Sequence, residues 1–361
     1  MNKNTFIGML LIGAILIGFS IYNSKQFEKQ KAYQMEQDSI AQVRALEYAA
    51  EMAAKAEAEG TAIAADPSKG QYSYTYKDSL LEAAHKATAE IYTLENDKIK
   101  ADYTTRGGQV YQVEIKDYYT YDSLALNLVK GGQSDFGVEF YSHQMINTKN
   151  FTYSMVSHND SSLVMRLNFD EDSYIEHVYS LPSESYLVNF DFRLVNMDKY
   201  ISQNATQFNV DWRLNIPRLE KGYDNERNYS TIDYRYPGDE VENLGLRRES
   251  SSKEITTKLS WFAFQQQFFS AILRAKNDFT SGNLSYAFFK ENDPSANLMQ
   301  CHANMEVAYN PEGSVVTIPF EFYFGPNHFR TLREYDQEYE KIIPLGGWLV
   351  NWINRIVIIP T

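Results

Sequence analysis

Between Ile91 and Gly325 the chain alternates apolar and polar residues with a period of two, and that pattern constrains its fold more than any other feature. SSLVMRLNF, SYLVNFDFRLVNM, TQFNVDWRLNI and SVVTIPFEFYFG are runs of this kind, and each is closed by a turn built on Gly, Asn or Asp, such as Gly107-Gly108 or Gly131-Gly132. A period of two puts alternate side chains on opposite faces of a strand. About a dozen such runs at close spacing predict an antiparallel meander. No run is followed by a glycine-rich turn into a long helix, which argues against a dinucleotide fold. The aromatic content, 27 Tyr and 21 Phe against 4 Trp, suits half-buried strand surfaces. Residues 91–328 are therefore read as a mainly β domain, an antiparallel sandwich of two large sheets, which commonly runs this long.

Ahead of that domain stands an uncharged stretch whose apolar heart, Thr5 to Tyr22, is roughly 18 residues. At about 1.5 Å per helical residue it approaches the hydrocarbon thickness of a bilayer. No small-residue cleavage site follows the apolar run, and the only cysteine, Cys301, lies too far away for lipidation. Residues 1–24 are read as an uncleaved anchor, with Phe6, Leu10, Leu11, Ile15, Ile17 and Phe19 meeting lipid. Residues 25–90 turn rich in Ala, Glu, Gln and Lys and read as a polar helical stalk, with a short helix expected between Leu80 and Glu90. After Gly325-Pro326, residues 329–343 read as a charged helix with one apolar face. In 344–361 the residues Trp348, Leu349, Trp352, Ile353 and Ile356 recur at helical spacing. Two tryptophans on one apolar stripe suit an amphipathic helix lying in the headgroup layer, leading into a second span beyond Thr361.

Several chemistries find no support. The net charge of −13 and the lack of any Lys/Arg cluster argue against a nucleic-acid partner. His85, His143, His158, His177, His302 and His328 show no metal-ligand spacing, so no metal and no cofactor are expected. Cys301 has no nucleophile motif around it, and the single thiol says nothing about redox compartment. The run Asp170, Glu171, Asp172 reads as a solvated turn. Asp135, Glu139 and His177 remain the one set that a cleft could bring together for acid/base work. Trp212 and Trp261 offer sugar-stacking surfaces, yet both sit inside strand patterns and read as core.

The order of parts, and several local sequences, resemble the amino-terminal portion of the YidC membrane protein insertases. TTRGGQVYQVEIKDYYTYD, with Gly107 and Gly108, resembles the first strands of that family's β domain. WFAFQQQFFSAIL resembles its W-x-A-x-x-Q-Q-x-F segment through Trp261, Gln266, Gln267 and Phe269. FEFYFGPNHFRTL resembles its Y-x-G-P segment through Tyr323, Gly325 and Pro326, and GWLVNWINRIVIIP its interfacial helix. The resemblance implies a β-supersandwich similar to galactose mutarotases, periplasmic, with the amino terminus in the cytoplasm of a bacterial cell and the chain held in the inner membrane. It further implies that the protein inserts and folds nascent inner-membrane proteins, alone or beside Sec translocon subunits, by binding and not as an enzyme. The family's insertion groove belongs to later transmembrane helices absent from this sequence. Charge counting by itself points to the opposite orientation, since Lys3 precedes the apolar stretch while Lys25, Lys29 and Lys31 follow it. The alternative reading is a membrane-anchored sugar-binding or mutarotase-like protein; a scaffold with no substrate is a third.

Overall fold

Strands form where the period of two runs longest, and the turns fall at the Gly, Asn and Asp clusters. The computed structural model of the chain describes residues 79–343 apart from positions 143 and 203. The expected anchor, most of the stalk and the 344–361 segment lie outside the described residues, as do all the expected lipid-facing residues from Phe6 to Phe19 and from Trp348 to Ile356. No helix among the described residues is long and apolar enough to cross a membrane.

A four-stranded sheet comes first, in the order β1 (Ile91–Glu95), β2 (Ile99–Thr104), β3 (Gln109–Tyr119), β4 (Ala125–Val129). The second sheet holds fourteen strands. Its first members are β5 (Ser134–Ser142), β6 (Gln144–Asn147), β7 (Ser154–Asn159), β8 (Ser162–Asn168), β9 (Tyr174–Ser180) and β10 (Leu187–Val195). It continues with β11 (Gln207–Pro217), β12 (Thr231–Arg235), β13 (Val241–Asn243), β14 (Ser250–Ile255), β15 (Leu259–Gln265), β16 (Phe269–Phe288), β17 (Asn297–Ala308) and β18 (Val315–Pro326). The main path runs β6-β5-β11-β17-β16-β18-β10-β9-β8-β7, with β14 and β15 also on β16, and β12 and β13 beyond β15. Every pairing is antiparallel. The expectation of a mainly β antiparallel fold holds, but the two sheets are unequal, four strands and fourteen, and not two large ones, because most of the later strands join a single path through β16.

The 20-residue β16 is the strand that unites the large sheet. Its first part, Phe269 to Ala275, pairs with β15 and β18, and its last part, Phe279 to Phe288, pairs with β17 and β14. Between them Asp278 takes φ 62 and accepts a hydrogen bond from the Ser260 hydroxyl at 3.0 Å. One strand therefore serves two ladders, separated by a bend.

Alternation decides burial. Along β10 the residues Val188, Phe190, Phe192 and Leu194 are buried and their neighbours are not. Aromatic rings fill the core: Phe136 lies edge-to-face 5.6 Å from both Phe190 and Phe322, and Trp212 lies tilted 4.6 Å from Phe264. Both Trp212 and Trp261 are buried, as the strand reading expects.

The small sheet is bonded to the large one at the Gly107-Gly108 turn. The Gly108 carbonyl accepts from the Tyr179 hydroxyl at 2.8 Å and from His177 Nδ1 at 2.8 Å. That leaves His177 Nε2 to accept the Tyr153 hydroxyl at 3.0 Å. Gln109 Oε1 accepts the Phe136 N–H at 2.5 Å, and the Tyr103 ring lies 4.6 Å from that of Tyr179. His177 is fully buried among these groups, and burial pulls its pKa down to about 4.

Two expectations are revised. Helix α1 (Ser79–Lys86) ends four residues short of Glu90 and packs on the domain: Leu81 is buried, and the Ala84 carbonyl accepts the Thr152 N–H at 2.9 Å. The edge of the globular part thus falls inside the expected stalk. The charged segment is not one helix. It divides into α3 (Phe329–Arg333) and a 3-10 turn, Tyr339–Ile342, because Asp336 and Glu338 take left-handed φ values of 53 and 60. A helix α2 (Tyr223–Asn228) sits in the β11–β12 connection.

Candidate functional site

Apart from the Gly107-Gly108 turn, the resemblance residues fall in two runs far apart in sequence, and the ladders bring these two together. Phe269 is paired with Pro326 and Ser270 with Gly325. Residues directly opposite in an antiparallel pair share a face. Arg235, Trp261, Arg274 and Glu321 therefore form one row across β12, β15, β16 and β18, and Thr231, Gln265, Ser270 and Gly325 form a second. The opposite face, with Phe262, Phe264, Phe322 and Phe324, belongs to the core.

The segment after Asn327 lies across these rows. Trp261 Nε1 donates to the Gln337 carbonyl at 3.0 Å, and Gln265 Nε2 donates to the Ile342 carbonyl at 3.2 Å. The Tyr339 ring is buried 5.3 Å from Trp261 and 6.1 Å from Tyr323, and its hydroxyl donates to Glu321 at 3.3 Å. Arg235 pairs with Glu338 at 2.8 Å, and Arg274 lies 3.7 Å from Glu321. Tyr323 lies 5.6 Å from Tyr335, and its hydroxyl donates to the Pro326 carbonyl at 2.6 Å. A side chain at Gly325 would put its Cβ 2.7 Å from the Tyr323 hydroxyl and 2.8 Å from the Tyr186 ring. Glycine is thus required there by close approach. On the same face Asp233 is buried opposite Ala263, and burial holds its carboxyl well above the usual range.

Gln266 and Gln267 have different roles. Buried Gln266 donates to the Pro217 carbonyl at 2.7 Å and to Glu226 at 3.3 Å, while its own carbonyl accepts from Asn327 Nδ2 at 2.9 Å. Ser270 donates to Asn327 Oδ1 at 2.7 Å. Gln267 is more open and accepts from Asn225 at 3.3 Å. Glu226 is buried; burial raises its pKa, the backbone N–H groups of Leu219 and Glu220 lower it, and the result is about 7. These bonds tie the β15–β16 turn to the end of β11 and to the start of the terminal segment. The arrangement fixes the chain leaving at Ile343 to the sheet.

The acid/base set that the sequence left open does not assemble. Asp135 and Glu139 share a face of β5, but His177 lies buried against the Gly108 turn in the other sheet's contact. Another cluster takes its place on that polar face. Lys149 bridges Asp135 at 3.0 Å and Asp211 at 3.2 Å, and His302 Nε2 bonds Asp211 at 2.5 Å. Gly137 makes room for the lysine, since a Cβ there would meet Asn147 at 2.5 Å and Lys149 at 3.2 Å. Burial raises the Asp211 pKa, but His302 and Lys149 overcome it and hold it at about 2. Asp211 and His302 were not singled out from sequence; the polar phase of NVDWRLN and of QCHANMEVA carries them. The charges of this cluster are spent on one another. No group of three or more His, Cys, Asp or Glu among the described residues could hold a metal.

The family model for the YidC periplasmic domain matches residues 91–359. The chain belongs to the YidC family. The membrane protein insertase YidC of Bacteroides fragilis is 32% identical over 370 residues, which cover 99% of this chain and 57% of that protein. The chain thus spans little more than half the length of this family member. Among solved structures, the periplasmic domain of Thermotoga maritima YidC has 11% identity and a TM-score of 0.35, covering 75% of this chain and 96% of that one. A galactose mutarotase related enzyme from Lactobacillus acidophilus has 11% identity and a TM-score of 0.41, covering 65% and 97%. Within the YidC family match fall the Trp261, Gln266 and Gly325 positions and the segment clamped upon them.

Proposed function

We propose that this chain is the anchor and periplasmic portion of a bacterial inner-membrane insertase, an assembly factor that acts by binding and not an enzyme. The observation that carries this reading is the family match over 91–359 together with 32% identity to a curated insertase across nearly the whole chain. In this reading 1–24 is the membrane anchor with its amino terminus in the cytoplasm, the residues from 25 up to helix α1 are the stalk, and α1 with the strands up to residue 328 is the periplasmic β domain. Residues 329–343 clamp the domain to an interfacial helix, 344–361. The clamp supports the reading, because Trp261, Tyr323 and Tyr339 make the β domain and the chain at Ile343 one packed unit. The partners are the lipid bilayer, nascent inner-membrane proteins and Sec translocon subunits.

The test is replacement. Cells depleted of their own insertase would carry a full-length relative in which the corresponding region is exchanged for this chain. Restored growth and restored insertion of a reporter membrane protein are expected, with translocon subunits recovered alongside. Protease added to spheroplasts should digest residues 91–328; their protection would overturn the topology.

A further inference from the structure

We infer that the tip of the β3–β4 hairpin and the neighbouring β15–β16 turn form a lipid-contacting surface that seats the β domain on the headgroup layer of the bilayer. Tyr119, Tyr121 and Leu124 on the tip are 69%, 55% and 63% exposed, and Phe268 on the turn is 50% exposed. Large apolar side chains gathered on one soluble surface mark a partner. The two loops are one surface, since the Tyr118 ring meets Phe269 edge-on at 5.2 Å, and the Tyr121 N–H donates to the Leu219 carbonyl at 3.1 Å.

The tip is rigid. The Thr120 N–H donates to the Leu124 carbonyl at 2.9 Å, the Ser123 N–H to the Thr120 carbonyl at 2.9 Å, and the Thr120 hydroxyl to Asp122 at 2.5 Å. Its backbone is therefore set before binding, which lowers the ordering cost to that of the side chains alone. Tyrosine suits a headgroup layer because its ring is apolar and its hydroxyl stays wet.

The course of the chain selects lipid over a protein partner. Gln265, at the start of the same turn, holds the Ile342 carbonyl, so the chain leaves the domain beside the patch. Trp348 follows Ile343 by five residues, and five residues reach at most about 17 Å. On the proposed reading of 344–361 as an interfacial helix, the point where the chain leaves the domain lies within that distance of the bilayer, and the patch stands beside that point. The tip carries Asp117 and Asp122, and its lysine, Lys116, is held by Glu95 at 2.6 Å and by the Asn96 carbonyl at 2.5 Å. Seating therefore comes from apolar burial and not from attraction to anionic lipid.

The test uses the full chain in vesicles of phosphatidylethanolamine and phosphatidylglycerol containing a nitroxide-bearing lipid. Tyr121→Cys, Phe268→Cys, Val315→Cys and Trp348→Cys are labelled one at a time with an environment-sensitive dye. Buried Cys301 stays unlabelled. Val315 is exposed at the far end of β18, about 36 Å from Pro326 at roughly 3.3 Å per residue. Quenching several-fold greater at 121 and 268 than at 315, and unchanged by added salt, is expected. Labels at 121 and 268 quenched no more than at 315 would overturn the inference. If Trp348→Cys is quenched in that case, the tether reading stands and only the seating fails; if it is not, both fall.

Discussion

At the scale of single residues, glycine and buried acids carry the sharpest consequences. Gly108 has φ +56, and a Cβ there would lie 2.8 Å from His177 Nδ1 and 3.2 Å from the Tyr153 ring. Gly108→Ala is expected to cost about 3 kcal/mol, from left-handed strain and displacement of the histidine, read as a lower urea midpoint. The Gly107-Gly108 pair was legible in sequence as a turn; that its carbonyl holds the two sheets together was not, because His177 and Tyr179 come from a strand some 70 residues away. Glu226 gives a pH signature. Its folded pKa of about 7 lies above the ordinary 4.5, so the folded state holds a proton that the unfolded chain releases. The stability it contributes is complete below pH 4.5 and is lost as pH rises through 7, by about 3 kcal/mol. The difference between the stability curves of wild type and Glu226→Gln should change by that order across this window; parallel curves would rule the assignment out. His177 acts in the opposite sense, losing stability as pH falls from 6.5 through about 4.

At the scale of elements, the terminal segment departs most from its sequence pattern. Phe329, Leu332, Tyr335, Tyr339 and Ile342 have helical spacing, and Leu332, Tyr339 and Ile342 are indeed buried. They reach the sheet, however, through a short helix and a 3-10 turn, since Trp261 and Gln265 take the backbone carbonyls of Gln337 and Ile342 as acceptors. Tertiary bonds have outcompeted local helix propensity. Removing the ring that fixes the segment, in Tyr339→Ala, is expected to cost about 3–4 kcal/mol. Its specific readout is faster trypsin cleavage at Arg333 and Lys341; unaltered cleavage would show that the ring does not hold the segment. Short strands such as β12 and β13 escaped the sequence reading, because TIDYR is buried at four of its five positions and VEN has only three residues. Neither length allows an alternation to register.

For the whole molecule, the two sheets share aromatic and hydrogen-bonded contacts along the Gly108 turn and the Phe136 core. They are expected to melt in a single transition, with equal calorimetric and van't Hoff enthalpies. A separate early transition of β1 to β4 would disprove that coupling. The polar face around Asp211 belongs to this scale as well. Its two aspartates and its histidine are set side by side by the pairing of β5, β11 and β17, and its lysine comes from the 3-10 turn Thr148–Asn150 that follows β6.

The sequence by itself determined the β class, the antiparallel connections, the buried tryptophans and the family, because period-two patterning and motif spacing are local properties of the chain. Tertiary structure alone decided which partners those residues meet. It moved His177 from a possible cleft to an inter-sheet bond, brought Asp211 and His302 together, and set the Q-Q-x-F turn against the G-P turn under the terminal segment. The physical reason is register: alternation fixes which face a residue takes, but hydrogen-bonded pairing between distant strands fixes its neighbours.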